Sequence, residues 1–165
     1  MDKDKARTEI LRLLQKNARV AEGELADRLG LAPAEVADLI RDLEREGVIM
    51  GYYSLINEEK LPAPPVRALI EVEVQPQRDG GFDRVAWMIS RFPEVKTVYL
   101  VSGLYDLRLE VVGASLQEVA SFVASKLAPL DGVKATVTHF LLRKYKEAGF
   151  QFHEDETYER LKVVP

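Results

Sequence analysis

The side chains best suited to chemistry in this sequence are charged groups, and the nucleophiles or metal ligands of an enzyme do not occur in a recognisable pattern. Cysteine is absent, and histidine occurs only at His139 and His153, which lack the spacing of a metal-binding pair. The sequence contains no glycine-rich phosphate loop and no Ser/His/Asp set. His139 is interpreted as a packed or surface residue, and no catalytic residue, metal or cofactor is predicted.

Charged residues between positions 28 and 45 have the composition of a DNA-contacting surface. Guanidinium groups bind phosphate oxygens, so we predict backbone contacts by Arg28, Arg41 and Arg45. Glu35 and Asp38 can each accept a hydrogen bond from a cytosine amino group. A mixed run of charges is more often simply solvated, and that alternative stays open for both acidic residues.

The charge balance of the chain argues against strong DNA binding. The 165 residues carry 23 Lys+Arg and 27 Asp+Glu, for a net charge of −4. Residues 1–61 hold ten basic and thirteen acidic side chains. Since non-specific DNA affinity comes mainly from lysine and arginine, binding is expected to depend on local arginines and on a dimer that doubles them.

The composition is that of a soluble globular protein, with 47% hydrophobic and 30% charged residues. The N-terminal residues 1–5 lack the apolar stretch of a signal peptide. No run approaches the ~18 apolar residues needed to cross a bilayer. Together with the absence of cysteine, this predicts a cytoplasmic protein with no membrane partner.

Apolar residues at helical spacing predict three short helices in residues 1–61. Their core stripes are Ile10, Leu11, Leu13 and Leu14, then Leu25, Ala26 and Leu29, then Val36, Leu39, Ile40 and Leu43. Gly30 ends the second helix, Pro33 opens the third and Gly47 follows it. Two helices joined by so tight a turn are typical of a helix-turn-helix.

Prolines at positions 62, 64 and 65 predict a stiff connector, so we divide the chain into residues 1–61, 62–146 and 147–165. A polyproline ligand is the less favoured interpretation of this segment. The last part, 147–165, contains Phe150, Phe152 and Tyr158 and is predicted to be a strand-like arm packed on a neighbouring subunit. A frayed tail is the alternative.

Beyond the prolines the apolar period changes from 3.6 residues to 2, which indicates strands alternating with helices. Strands are predicted around residues 68–74, 95–101, 105–111 and 133–143, with a short hairpin link at Ser102-Gly103. The helices carry the stripes Phe82, Val85, Ala86, Ile89 and Phe92, and Leu116, Val119, Ala120, Val123 and Leu127, the second opened by a capping box of Ser115 and Glu118. The order βαββαβ is ferredoxin-like, and the fold class is α+β with a winged-helix-like N-terminal domain.

Two helices cover only one face of a four-stranded antiparallel sheet. The other face is predicted to present Glu71, Glu73, Asp106, Arg108, Thr136 and Thr138 beside Phe140 and Leu142. Because its end is apolar, we expect a partner subunit to cover this face. A simply hydrated face is the alternative.

Three strings in the sequence resemble the Lrp/AsnC, or feast/famine, family. Residues 25–31 (LADRLGL) and 43–49 (LEREGVI), with Val36, Arg41 and Gly51-Tyr52, are similar to its helix-turn-helix and exit segment. Residues 101–106 (VSGLYD) are similar to the Gly-x-Tyr-Asp signature of its sensing domain. The resemblance spans residues 1 to about 145, with the motifs in the family's order and spacing.

This resemblance implies a regulator that binds double-stranded DNA, forms homodimers through the sheet domain, often assembles into octamer-like discs, and binds a small molecule, commonly an amino acid. The positions matching its effector site are Gly103, Tyr105, Asp106, Thr136 and Thr138. A carboxylate can receive an α-ammonium, and hydroxyl and loop N–H groups can receive an α-carboxylate. Alternatively, Gly103 is a plain hairpin glycine, Asp106 pairs with Arg108 or Arg67, and the threonines are only strand formers.

Two further functions stay open. The third helix is partly acidic, and Ala32 replaces the family's usual serine or threonine cap, so the chain can be a sensing and assembly protein that has lost DNA binding. A sirohaem decarboxylase of similar two-domain plan is the enzymatic alternative, although the sequence has no histidine-rich motif.

Overall fold

The computed structural model describes residues 2–75 and 81–153. The chain forms two compact units, Met1–Ile56 and a second that begins at Asn57. The short 3₁₀ turn Glu58–Lys60, which precedes the prolines, therefore belongs to the second unit. Each unit has its own hydrophobic core and is described by itself.

Three helices build the first unit, as the apolar spacing predicts. They are α1 (Lys3–Lys16), α2 (Glu22–Leu29) and α3 (Pro33–Arg45). One buried cluster joins them: Ala6, Ile10, Leu13, Leu25, Ala26, Leu29, Val36, Leu39 and Leu43. The turn between α2 and α3 depends on Gly30, whose φ of 66° lies in the left-handed region that glycine adopts without strain.

The start of α3 is only half capped. The side chain of Glu35 accepts the N–H of Ala32 at 2.9 Å, which is one half of a capping box. The other half cannot form because the alanine side chain at Ala32 has no oxygen to accept the N–H of Glu35. Pro33 reduces the deficit, since its nitrogen carries no hydrogen that needs a partner.

The second unit contains a four-stranded antiparallel sheet with the order β2-β3-β1-β4, the ferredoxin-like arrangement predicted from the sequence. Its elements are β1 (Val66–Val74), α4 (Gly81–Ser90), β2 (Val95–Leu100), β3 (Leu107–Gly113), α5 (Leu116–Phe122, continuing as a wider π-type turn over Val123–Leu127) and β4 (Val133–Phe140). Ser115 accepts the N–H of Glu118 at 3.1 Å, which confirms the predicted cap of α5.

The core of this unit lies between the sheet and the two helices. Val85 and Ile89 of α4 are buried as predicted, but Leu116 and Ala120 of α5 are exposed. Phe122 is buried instead and meets Phe92 edge to face, with ring centroids 5.5 Å apart. The prediction for α5 was wrong for Leu116 and Ala120 and is confirmed for Val119 and Leu127, and the ring of Phe122 excludes water from a larger apolar area than either exposed residue would.

The register of β4 contains a bulge that reverses its side-chain alternation. Opposite β1, Ala135 pairs with Glu73 whereas Val133 pairs with Val74, so Lys134 is an extra residue. Val133 packs against the core, and an extra residue after it moves the following inward positions by one.

As a result, Thr136 and Thr138 lie on the helix-covered face, opposite the buried Val72 and Ile70. The prediction that both threonines line the uncovered face was wrong, because it assumed strict alternation from Val133. Both side chains are half-buried.

Three other details of the sheet also differ from prediction. Phe140 lies opposite Ala68 on the covered face, and β4 ends there rather than at Arg143, which leaves Leu142 outside the sheet. Strands β2 and β3 pair as a hairpin, but residues 101–106 connect them rather than Ser102-Gly103 alone. Tyr105 belongs to that loop and not to β3.

The first residues of the C-terminal extension form a small hairpin, β5 (Lys146–Glu147) and β6 (Phe150–Gln151). Its two turn residues, Ala148 and Gly149, have φ of 47° and 87°, as a type I′ turn requires. The imidazole Nε2 of His153 lies 3.4 Å from a carboxylate oxygen of Glu59. The predicted arm is described only this far, and Tyr158 lies outside the described residues.

Arg67 joins the 3₁₀ turn at the start of the second unit to strands β1 and β3. Its guanidinium donates to both carboxylate oxygens of Glu58, with 2.6 Å between Nε and Oε2, and to Glu110 on the neighbouring strand. The hydrogen bond from Arg67 lowers the pKa of Glu58, and the charge of Lys144 adds to this effect. Conversely, Glu58 and Glu110 raise the pKa of Arg67 above its usual range.

We expect Arg67→Ala to lower the free energy of unfolding by about 1–3 kcal/mol at pH 7, because two carboxylates lose their shared donor. Since folding depresses the pKa of Glu58, its contribution is present above the ordinary value near 4.5 and is lost as pH falls through the lower folded value. Urea unfolding at pH 7 and at pH 3 should therefore show a smaller difference between the two proteins in acid. The exposed Arg91→Ala is the control, and a difference that grows in acid would contradict the assignment.

We expect Ala32→Ser to stabilise the helical unit by about 1 kcal/mol, because serine adds a side-chain acceptor for the N–H of Glu35, which now donates only to the backbone carbonyl of Ala32 at 3.0 Å. Circular dichroism at 222 nm during urea unfolding measures the change. Ala34→Ser makes the same chemical substitution within the first turn, where we expect no gain. Equal effects at the two positions would show that the start of α3 is not limited by its cap.

Candidate DNA-binding and effector sites

One face of α3 is free to contact a large partner. Val36, Leu39 and Leu43 bury the opposite face, and a helix rotates by about 100° per residue. Asp38 and Arg41 therefore project into solvent, with side chains 68% and 70% exposed. Arg45, 75% exposed, lies one turn further along the same face.

Each arginine predicted to contact phosphate already has an acidic neighbour on its own helix. Arg41 pairs with Asp38. Arg45 lies 2.6 Å from Asp42. The third, Arg28 of α2, lies 2.6 Å from Glu24. Exposed pairs of this kind contribute little to stability, so phosphate can replace the carboxylate partner at small cost.

The two acidic residues predicted to read bases differ in their availability. The carboxylate of Glu35 is engaged by the backbone of Ala32 and stabilises the start of α3. Among the described residues of the helical unit, Asp38 contacts only Arg41, in an exposed pair. Base contact by either residue stays a prediction, and Asp38 is the better placed of the two.

A second group of cations lies around α1. Within the described residues, Lys5, Lys16 and Arg19 have no carboxylate within ion-pair distance. Lys16 and Arg19 flank the turn into α2, next to the helix pair that forms the motif. The lack of an ion-pair partner among the described residues distinguishes these three cations from the paired arginines. The sequence alone does not show which cations are paired.

Interactions between helices fix the orientation of α3. Arg7 of α1 donates to Glu46 at the end of α3, with 3.1 Å between Nη1 and Oε1. The hydrogen bond from Arg7 lowers the pKa of Glu46. Tyr52 donates its hydroxyl to Glu44 at 2.8 Å, and desolvation together with that carboxylate raises its pKa. The exit segment is thereby attached to α3 within the first unit.

The loop of residues 101–106 carries the second predicted site. Gly103 has φ of 143°, a conformation that other residues rarely adopt, and nothing within 4 Å would meet an added Cβ. Glycine is therefore required there by the backbone and not by crowding. Leu104 is fully exposed at the tip, while Tyr105 is half-buried.

Asp106 stands at the base of this loop. Its carboxylate accepts the N–H of Val74 at 2.7 Å, across the end of β1. Of the alternative partners predicted from the sequence, Arg67 binds Glu58, and Arg108 lies opposite Glu71 in the register of the sheet. The sequence did not indicate this side-chain-to-backbone bond.

The structure brings the loop residues together and places the two threonines on another strand. Leu107, next to the loop, and Thr136 both pair with Val72, from opposite sides of β1. The width of one strand therefore separates the base of the loop from Thr136 and Thr138. This separation leaves Gly103, Tyr105 and Asp106 as one cluster.

The uncovered face of the sheet carries both charge and apolar surface. Glu71, Glu73 and Arg108 lie there as predicted. The apolar part includes Tyr99 and Val137, 57% and 51% exposed, with the half-buried Leu69 and Val112, and not the predicted Phe140 and Leu142. His139 lies on this face too, with Nε2 3.4 Å from Glu71.

Membrane spans and metal-binding clusters are both absent from the described residues. Across residues 2–75 and 81–153, no helix has the length and apolar character needed to cross a membrane. Over the same ranges, no group of three or more His, Cys, Asp or Glu side chains is arranged to hold a metal ion.

Comparison with protein families accounts for both units. The family described as Lrp/AsnC ligand binding domain matches residues 67–149. The family described as winged helix-turn-helix DNA-binding matches residues 3–50. The first match spans the whole sheet together with the loop of residues 101–106.

Individual relatives agree with this match. An uncharacterised HTH-type transcriptional regulator of Bacillus subtilis, YugG, is 43% identical over 96% of this chain and 96% of its own length. The leucine-responsive regulatory protein of Haemophilus influenzae is 30% identical over 86% of this chain and 84% of its own. The transcriptional regulator NMB0573 of Neisseria meningitidis, solved in complex with L-Met, superimposes with a TM-score of 0.71 at 26% identity and covers 89% of this chain and 93% of its own. The chain belongs to the Lrp/AsnC family of transcriptional regulators, with a DNA-binding helix-turn-helix ahead of a ligand-binding domain.

Proposed function

We propose that this protein is a cytoplasmic, non-enzymatic regulator whose contact with DNA is changed by an amino acid bound to its second unit. The observation that carries the proposal is the continuous family match over the sheet and its β2–β3 loop, combined with a complete three-helix unit. The order of the two units places a DNA-contacting module and a ligand-binding module on one chain.

DNA contact is assigned to the exposed face of α3, with Arg28, Arg41 and Arg45 on phosphates and Asp38, rather than Glu35, near the bases. Each arginine must exchange a carboxylate for a phosphate, so binding gains less from electrostatics than in a basic module. A homodimer presents two such faces, which favours a pseudo-palindromic site.

We expect binding to DNA that weakens steeply with salt, because each phosphate contact adds about 0.9 to the slope of log affinity against log salt. Fluorescence anisotropy with DNA fragments from the region upstream of the gene that encodes this chain, between 50 and 200 mM salt, measures this slope. Arg45→Gln should reduce it by about 0.9. The matched Arg91→Gln, in the second unit, should leave the slope unchanged. Absence of affinity for every fragment at low salt would end the DNA assignment.

That negative result would favour a second candidate, a sensing and assembly protein that no longer reads DNA. The observation in its favour is that carboxylates within the same helix engage all three predicted phosphate-binding arginines. The family match gives the enzymatic alternative, a sirohaem decarboxylase, no support.

The effector is proposed to be an amino acid bound at the loop of residues 101–106. Two relatives support this class: one is named a leucine-responsive regulatory protein, and another was solved in complex with L-Met. Gly103 and Tyr105 supply loop N–H groups and a hydroxyl for a carboxylate, and Asp106 supplies negative charge. Thr136 and Thr138, half-buried on the other side of β1, are proposed as a secondary contact of the effector.

We expect one side-chain class among the twenty amino acids to raise the melting temperature of the full chain. A ligand at a hundred times its dissociation constant stabilises the folded state by about 2.7 kcal/mol. The matching α-N-acetyl amino acid, which lacks the ammonium group, should give no shift. If all twenty amino acids leave the melting temperature unchanged, the effector class is wrong.

Assembly is proposed to involve the uncovered face of the sheet, with a homodimer as the basic unit and an octamer as the larger assembly. Tyr99 and Val137 would lie against a second copy of the same face. Arg67 on this face pairs with Glu58, and Glu73 pairs with Lys134. A self-complementary contact of this kind suits a two-fold dimer.

A further inference from the structure

We propose that Asp106 is a positioning residue, which fastens the β2–β3 loop to the end of β1 and affects effector binding through the loop backbone. This inference rests on the proposed effector site and assigns a different role to one of its residues. Direct contact between the Asp106 carboxylate and the effector is the competing account.

The hydrogen-bond pattern at the end of β1 supports the inference. Regular pairing of β1 with β3 ends at Val72 and Leu107. The N–H of Gln75 turns toward β4, where it donates to the carbonyl of Gly132 at 2.9 Å. Because successive N–H groups of a strand point in opposite directions, the N–H of Val74 faces the β3 side. The Asp106 side chain meets it there and takes the place of a backbone carbonyl.

Asp106 also closes the loop through its own backbone. Its N–H donates to the carbonyl of Val72 at 3.1 Å, and its carbonyl accepts the N–H of Val101 at 2.9 Å. The backbone of Asp106 thus joins the two ends of the loop to each other, and its backbone and side chain together join the loop to β1. The exposed residues at the tip, Gly103 and Leu104, therefore project from a fixed base.

The charge of Asp106 has a neighbour within the same chain. Lys134, the bulge residue of β4, pairs with Glu73 of β1. The hydrogen bond and charge of Glu73 raise the pKa of Lys134, and the negative charge of Asp106 adds to that effect. The Asp106 carboxylate thus already accepts a backbone N–H, and the Lys134 ammonium lies near enough for the two charges to influence each other. An effector ammonium would have to compete with that N–H for the carboxylate.

The two roles respond differently to a conservative substitution. Asparagine keeps a side-chain oxygen of the same geometry and can accept the N–H of Val74, but it carries no charge. Alanine leaves that N–H without an acceptor. A positioning role therefore predicts that asparagine substitutes for aspartate, whereas a charge contact with an ammonium predicts that it does not.

The test compares full-length Asp106→Asn, Asp106→Ala and wild type by amide hydrogen exchange and by titration with each of the twenty L-amino acids. We expect the Asn variant to retain protection at Val74 and residues 101–106, and an effector affinity within about threefold of wild type. The Ala variant should lose at least about tenfold in amide protection and at least about tenfold in effector affinity. Asp27→Ala, an exposed change in the first unit, should alter neither.

Two results would overturn the inference. The first is an Asn variant with normal protection but at least tenfold weaker effector binding, which would place the carboxylate on the ligand. The second is an Ala variant with unchanged exchange at Val74. If wild type binds none of the twenty amino acids, the proposed effector class fails, and the exchange data alone decide whether Asp106 positions the loop.

Discussion

Burial of one face of the sheet beneath α4 and α5 determines how the second unit is built and what it can contact. Ile70, Val72 and Leu109 are fully buried there, and Val85 and Ile89 of α4 cover them. Removing this much apolar area from water is the main favourable term in the folding of the unit. Both helices pack on this face, so the opposite face of the sheet carries charged pairs and a few exposed apolar groups.

In the first unit, charge is compensated locally within the helices. Carboxylates within the same helix balance the cations of α3, and a pair between α1 and α3 holds the helix in place. Such pairs stabilise the fold only slightly, but they lower the positive potential that attracts DNA from a distance. The balance of acidic and basic groups on α3 therefore affects association with DNA more than it affects folding.

The helices and strand order could be predicted because they depend on apolar spacing, which the sequence displays directly. The stripe of Val36, Leu39 and Leu43 and the alternation through Ile70 and Val72 are clear signals of this kind. The face of the sheet on which Thr136 lies could not be predicted. A bulge moves the following side chains to the opposite face without changing the pattern of residue types. The partner of Asp106 is hidden for a similar reason: it depends on which backbone N–H the sheet leaves unpaired.

The bulge at Lys134 also affects how residue roles can be transferred between relatives. A relative with the same number of residues but regular pairing at this point would turn the opposite set of β4 side chains toward its helices, although its aligned sequence would look much the same. Val137 and His139 here would then correspond to inward-facing positions there. Equivalence along this strand has to be assigned from the geometry of the backbone, because matching by alignment column would pair residues that point in opposite directions.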